Sequence, residues 1–194
     1  GLKRIGVEPD LKFLRHEIKG GTAFAPDGTG IRITGGRTRA YIVDRAIFDR
    51  HLAETAIDAG AEIERNHRIR DLLFKDGRVV GIRGDMDVEA SIVIDAEGVS
   101  GALARRAGLP RPESGVLSGI NANVPDAQLE PGMVEVWFSE NLAGGMFAWA
   151  VPAGENEVRC GLAADKGDAL ELLRRFVKSR FGLTECGEPE RWPV

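Results

Sequence analysis

At 194 residues, 43% of them hydrophobic and 29% charged, the chain has the make-up of a folded globule and not of a disordered tail. A net charge of −4, with Arg and Lys dispersed among carboxylates, argues against a nucleic-acid-binding surface. No run of about 18 apolar residues could span a bilayer, and Gly1-Leu2-Lys3-Arg4 lacks the apolar core of a signal peptide. Cys160 and Cys186 match neither a zinc spacing nor a disulfide framework, so a cytoplasmic protein with reduced thiols and at most peripheral membrane contact is expected.

Gly20-Gly21, Pro26-Asp27-Gly28 and Gly35-Gly36 separate short alternating runs such as Gly30-Ile31-Arg32-Ile33-Thr34, which predicts a small hairpin. Asp44 is placed to cap a helix in which Phe48, Leu52 and Ala56 recur at every fourth position, with Ala53 and Ile57 alongside and Gly60 as its left-handed stop. Ala61 to Glu64 reads as a short strand, Arg68 to Phe74 as another, and Lys75-Asp76-Gly77 as the tight turn into Arg78 to Arg83. In Ser91 to Asp95 three successive apolar residues suit a strand covered on both faces, as in a parallel sheet. Leu103, Ala104 and Ala107 form a short helical stripe that Gly108 and Pro110 end.

From residue 115 the pattern turns to β. Leu117 to Val124, Met133 to Phe138, Gly145 to Val151 and Glu157 to Ala164 predict four strands of one antiparallel sheet, with turns at Pro125-Asp126, Glu140-Asn141 and Ala153 to Asn156. Asp168 caps a last helix carrying Leu170, Leu173, Phe176 and Val177, and the Pro/Glu-rich stretch Glu185 to Val194 follows it. The fold class is α/β with α+β character. A partial doubly wound nucleotide-binding domain with its β-meander is expected over residues 1–112, and an antiparallel sheet with a C-terminal helix over 113–194. One clearly parallel strand leaves edges and an apolar face uncovered, so neither half is expected to be self-sufficient.

Three segments carry chemistry. The first is Val43-Asp44-Arg45-x-x-Phe48-Asp49, followed by Leu52-Ala53-x-x-Ala56 and Ala59-Gly60-Ala61. By residue type alone Arg45 reads as a solvated arginine opening a helix. The second is Ile94-Asp95-Ala96-Glu97-Gly98-Val99-x-Gly101-x-Leu103-Ala104-Arg105, in which a strand runs into a glycine turn. The third is Phe147-Ala148-Trp149-Ala150-Val151-Pro152, eight residues, then Gly161-Leu162-Ala163. In a hairpin, Phe147, Trp149 and Val151 share one face, and small Gly161 and Ala163 opposite them leave a flat apolar slot or a plain sheet core.

Together these segments resemble the geranylgeranyl reductase family, within the p-hydroxybenzoate-hydroxylase-like group of FAD enzymes. The resemblance implies that Arg45 contacts FAD, a role suited to a guanidinium that forks to phosphate or ribose oxygens, and that Ile69 lies by the adenine. It implies cofactor contacts for Asp95, Glu97 and Gly98, where the family shows Ala-Asp-Gly in place of Ala96-Glu97-Gly98. It also implies that Phe147, Trp149, Val151, Pro152, Gly161 and Ala163 line the isoprenoid channel, the family's Tyr, Phe and Gly being replaced by Phe147, Val151 and Ala163.

The function implied is reduction of prenyl double bonds in isoprenoid lipids, with FAD as cofactor, a prenyl lipid as substrate and no electron donor specified. A flavin-dependent monooxygenase or halogenase, and a non-catalytic lipid-binding module, are the alternatives. No G-x-G-x-x-G fingerprint and no second Gly-Asp FAD motif occur, so the resemblance, over about residues 1–182, is to the central part of such an enzyme. The isolated chain is expected to bind FAD weakly or not at all and to be inactive. No catalytic residue and no metal site are assigned. Trp137 and Trp192 read as packing residues and Cys160 as a small buried apolar one.

Overall fold

The computed structural model describes residues 2–10, 12–110 and 115–194, and its chain is divided into two units. One comprises residues 1–52 with 116–194, the other 53–115. The boundary expected at 112/113 falls on residues outside those described.

The first unit is built on two sheets. A two-stranded antiparallel sheet pairs β1 (Leu14–Ile18) with β4 (Ala40–Val43). A seven-stranded sheet takes β2 (Gly20–Phe24), β3 (Gly30–Thr34), β8 (Ser118–Pro125), β9 (Met133–Trp137), β10 (Ala148–Gly154), β11 (Glu157–Ala164) and β12 (Glu190–Pro193), in the order β12-β8-β11-β10-β9-β2-β3. The four predicted strands beyond residue 115 are all present. The sheet is larger than the sequence suggests, because the early hairpin β2–β3 joins it and the Pro/Glu-rich tail supplies β12 along β8. It is also mixed, not purely antiparallel: β2 runs parallel to β9, Gly20 opposite Met133 through Phe24 opposite Trp137. The Glu140-Asn141 turn is a single helical turn, α3 (Glu140–Ala143).

Period-two alternation separates the faces of the large sheet. Ile120, Ala122, Val124, Ala148, Ala150, Val158, Cys160 and Leu162 are buried in one cluster with Leu173, Phe176 and Val177 of α4 (Ala169–Phe181). Burying such side chains contributes about 1.5–3 kcal/mol each for the larger ones. Asp168 caps α4 by accepting from Leu170 N at 2.9 Å, and Gly182, at φ +71°, ends it in the left-handed conformation expected of a C-terminal glycine. Asn121, Asn123, Gly161 and Ala163 alternate with the core residues and so face the other way, together with Trp149 and Val151.

β4 runs directly into α1 (Arg45–Asp58). Asp44 accepts from Ile47 N at 3.1 Å, which is the expected N-cap, and from Arg15 Nη2 at 2.8 Å. Phe13, fully buried, meets Phe48 edge-on at 5.2 Å and anchors this first stretch of helix.

The second unit contains the end of α1, the meander β5 (Ile69–Lys75), β6 (Arg78–Gly84) and β7 (Val88–Glu89), and the short helix α2 (Ala102–Arg106). Asp76 and Gly77, at φ 51° and 75°, make the tight left-handed turn that links β5 to β6. Two expected strands are absent here. Residues 61–64 and 91–95 are not in strands, and Ile92 and Ile94 are 80% and 86% exposed. A strand exists only through its ladder to a neighbour, and no described strand runs beside either segment. The expected strand covered on both faces at Ser91 to Asp95 is therefore not found: the apolar run has β propensity, and propensity alone does not form a strand without a ladder partner.

Candidate functional site

A cavity of about 730 Å³ opens in the first unit on the sheet face opposite α4. Its floor comes from β8, β10, β11 and β12, and its wall from the β4–α1 junction and Arg15. Register places the floor residues in rows. Val151 pairs with Arg159 and Arg159 with Asn123; Trp149 pairs with Gly161, Gly161 with Asn121, and Asn121 with Glu190. One further row sets Ala163 beside Gly119 and Gly119 beside Trp192.

Arg45 is the first residue of α1 and lines this cavity with Val151 and Pro152. Its guanidinium meets Asp49 at 3.1 Å, one helical turn on, with 76% of the side chain exposed. Such a pair is worth little in water, so the guanidinium is free to turn toward a ligand at small cost. The Arg15 guanidinium and the helix N–H of Ile47 hold the Asp44 carboxyl below the usual carboxylate range. Arg159 donates to Asn123 Oδ1 at 3.2 Å and to Glu190, and Asn123 in turn donates to Glu157 at 3.1 Å.

An aromatic row runs beside the cavity. Phe138 to Phe147, Phe147 to Trp149 and Trp149 to Trp192 have ring centroids 6.0, 6.1 and 6.3 Å apart. Trp149 lies over Gly161 and Trp192 over Gly119, where a Cβ would stand 2.7 Å from the indole. The slot that the sequence suggested above Gly161 is therefore covered by the indole of Trp149, and the face presents a flat aromatic surface.

In the second unit a cavity of about 740 Å³ is lined by Ile69, Leu72, Ile82 and Val93 together with Asp95 and Glu97. Asp95 accepts from Glu97 N at 2.9 Å, and Glu97 accepts from Leu103 N, capping the start of α2. Gly98, at φ +68°, has open space where a side chain would be, so backbone there is approachable. The eleven residues singled out in the sequence thus divide: Arg45 and the six of the 147–163 segment belong to the first unit, and Ile69, Asp95, Glu97 and Gly98 to the second.

Sequence reasoning passed over Arg15, Asn121 and Arg159, and took Trp192, which lines the cavity, as a packing residue. The alternation Gly119-x-Asn121-x-Asn123 in an apolar strand was the available signal for the asparagines. Trp192 sat in a tail without periodicity. Among the described residues no cluster of His, Cys, Asp and Glu could hold a metal ion. Burial pushes the Cys160 thiol up to about 12, which suits a packing residue and not a nucleophile.

The chain is 33% identical over 206 aligned residues to the digeranylgeranylglycerophospholipid reductase of Methanothrix thermoacetophila, covering 90% of this chain and 49% of that protein. It is 30% identical to digeranylgeranylglycerophospholipid reductase 1 of Methanopyrus kandleri, over 97% of this chain and 52% of the relative. The chain belongs to the geranylgeranyl reductase family. It spans about half the length of the curated relatives it matches. Its fold is that of a geranylgeranyl bacteriochlorophyll reductase-like protein from Thermoplasma acidophilum, with a TM-score of 0.88 and 22% identity over all of this chain and 53% of that one. A flavin-dependent brominase shares the fold at a TM-score of 0.75 and 17% identity, over 99% of this chain and 54% of its own. No protein-family model matches. Among the described residues no helix of this family member is long and apolar enough to cross a membrane.

Proposed function

We propose that the chain is part of an FAD-dependent reductase that saturates double bonds in the geranylgeranyl chains of isoprenoid lipids. The observation that carries the reading is the first-unit cavity: it brings Arg45, from one family motif, to Val151 and Pro152, from the other. The identity to reductases named for digeranylgeranylglycerophospholipid supports the same substrate class.

The residues fit FAD in each unit taken separately. Arg45 offers a solvated, weakly held guanidinium for phosphate or ribose oxygens. In the second unit Ile69 lines an apolar cavity of adequate size, Asp95 and Glu97 each keep one carboxylate oxygen beyond their local hydrogen bonds, and Gly98 admits close approach. When bound, FAD would supply the hydride for reduction of a carbon–carbon double bond.

The chain's own contribution is binding and exclusion of water. Val151, Pro152 and Trp192 give the cavity an apolar side, with Trp149 and Phe147 extending the aromatic surface. A prenyl chain laid there gains roughly 25 cal/mol for each Å² of apolar surface removed from water. Contact with a lipid surface is peripheral in this reading.

The test is anaerobic incubation of the full-length protein with chemically reduced FAD and a geranylgeranyl glycerophospholipid, followed by mass spectrometry for added hydrogen. Saturated product supports the reading, and Arg45→Ala is expected to weaken flavin binding about tenfold, the loss of a charge-assisted contact. Oxygen-dependent halide incorporation without prenyl reduction would move the assignment to the halogenases, whose fold the chain shares.

A further inference from the structure

β3 closes one side of the large sheet, and among the described residues no strand lies along its outer edge. Ile33 pairs with Gly21 of β2 and Ile31 with Ala23, so the two isoleucines share one face. At 68% and 64% exposed, Ile31 and Ile33 are the most open large apolar side chains of the first unit among the described residues. Arg32, between them, faces the other way and pairs with Glu130. The isoleucine face is the one opposite α4: Ala23 lies beside Val136, and Val136 beside Trp149. Register therefore draws an apolar row, Ile31-Ala23-Val136-Trp149, from the edge of the sheet to the aromatic surface, roughly 14 Å over three strand spacings.

The same stretch concentrates positive charge. Residues 12–39 hold six Lys and Arg against Glu17 and Asp27, a net of +4 in a chain whose total is −4. Arg15 and Arg32 are paired with Asp44 and Glu130, whereas Lys19, Arg37 and Arg39 are exposed and in no ion pair among the described residues. Gly20 is opposite Thr34, so Lys19 and Gly35 leave the β2–β3 ladder at the same end. The Arg39 guanidinium stands 3.0 Å from where a β-carbon on Gly35 would be, which sets it close beyond Ile33. Exposed apolar side chains with unpaired cations at one end match an anionic lipid–water interface: the apolar groups enter the acyl boundary and the cations stay among phosphates. A second copy set edge to edge on β3 would bring two such cation clusters together, and like charges repel.

We propose that the β3 edge, through Ile31 and Ile33 with Lys19, Arg37 and Arg39, is the surface by which the protein docks on an anionic lipid bilayer. The assignment rests on the reductase reading, whose substrate class resides in a bilayer, and adds to it the place of contact. Only the isoleucine side chains reach the acyl boundary. The backbone edge of β3 stays at head-group depth, where water satisfies its N–H and C=O groups. Docking there sets the bilayer beside the row that leads through Ala23 and Val136 to Trp149.

The test measures binding of the full-length protein to vesicles of phosphatidylglycerol or of phosphatidylcholine and, separately, prenyl reduction of a detergent-dispersed substrate. Wild type is expected to bind the anionic vesicles at least tenfold more tightly than the zwitterionic ones, with the preference shrinking as salt is raised. Ile31→Thr/Ile33→Thr keeps β-branched residues at exposed positions and should weaken binding to both vesicles about tenfold. Arg37→Gln/Arg39→Gln should cut binding to the anionic vesicles about tenfold and leave the zwitterionic ones unchanged, and Arg37→Lys/Arg39→Lys should bind as wild type, because charge and not a forked bond is used. All three variants should keep reduction of the dispersed substrate within about a factor of two. Unchanged vesicle binding in the Thr and Gln variants overturns the surface and leaves the reductase reading standing; that is the result if the rest of the full-length chain or a second copy covers β3. Failure of wild type to bind either vesicle, with reduction of the dispersed substrate retained, overturns it as well. Vesicle binding that depends on these residues in a protein that reduces no prenyl lipid supports the surface and overturns the reductase reading.

Discussion

Trp149 of β10 lies face-down on Gly161 of β11, so closely that any β-carbon at residue 161 would overlap its indole and stand 2.8 Å from Ile120 O. The contact requires glycine: one neighbour is a bulky ring and the other is backbone of the adjacent strand. Gly161→Ala is therefore expected to cost about 1–3 kcal/mol as overpacking, seen as a lower urea midpoint with an unchanged slope. Trp149→Phe in the same background should recover part of the loss, since the smaller ring can yield while Ile120 O cannot.

Glu135 on β9 and Arg180 in the last turn of α4 are joined by two hydrogen bonds of 2.7 Å, and Trp137 Nε1 donates to the same carboxylate at 3.1 Å. The Glu135 side chain is only 12% exposed, so removing its partner strands a charge away from water. Arg180→Met is expected to destabilise the first unit by about 2–3 kcal/mol, below the 3–5 of a fully buried pair because Arg180 is partly solvated. The double variant Glu135→Gln/Arg180→Met should be milder than the sum of the single changes, as a thermodynamic cycle would read out.

The Asp44 carboxyl titrates below its ordinary value of 3.8, first because Arg15 hydrogen-bonds it and next because Ile47 N–H does. A depressed folded value stabilises the native state above 3.8 and loses that contribution as pH falls through the lower folded value. Acidification should therefore loosen the start of α1, measured as faster amide exchange of Ile47. Asp44→Asn, which keeps a capping oxygen, should flatten that acid-side dependence.

Cys160 and Cys186 should separate in reactivity. The Cys160 thiol, fully buried and pushed up to about 12, is expected to resist a thiol-modifying disulfide reagent near pH 8 until the protein unfolds, while half-buried Cys186 reacts in the native state. The sign of the linkage is the reverse of Asp44. Between 9.0 and about 12 the unfolded chain releases this proton and the native one retains it, so stability falls as pH rises through that window. Cys160→Ala should remove that part of the alkaline loss, at the expense of a small cavity.

Much of the secondary structure could be read from local pattern. The α1 cap at Asp44, the Asp76-Gly77 turn, the Asp168 cap and the strands beyond residue 115 all depend on neighbours close in the chain, and all are found. The misses share one cause. Residues 61–64 and 91–95 carry strand-like composition without a ladder partner, and β12 has weak composition with a partner in β8. The site followed the same division. Arg45, Val151 and Pro152 were named from motifs, while Asn121 and Arg159 emerged, and Trp192 moved from packing residue to cavity wall, only when register brought distant strands side by side.

Residue order alone was enough for the family, for the helices with their caps, and for the alternation that gives each strand of the sheet its buried side, because these rest on residue type and spacing over a few positions. Tertiary structure decided that the 20–34 hairpin extends the large sheet, that a parallel pairing sits inside it, that Trp149 fills the space above Gly161, and that the Oδ1 atom of half-buried Asn121 is left without a hydrogen-bond partner. Those outcomes depend on which strand lies beside which, and pairing between segments a hundred residues apart is set by the summed packing of the whole sheet, not by any local stretch of sequence.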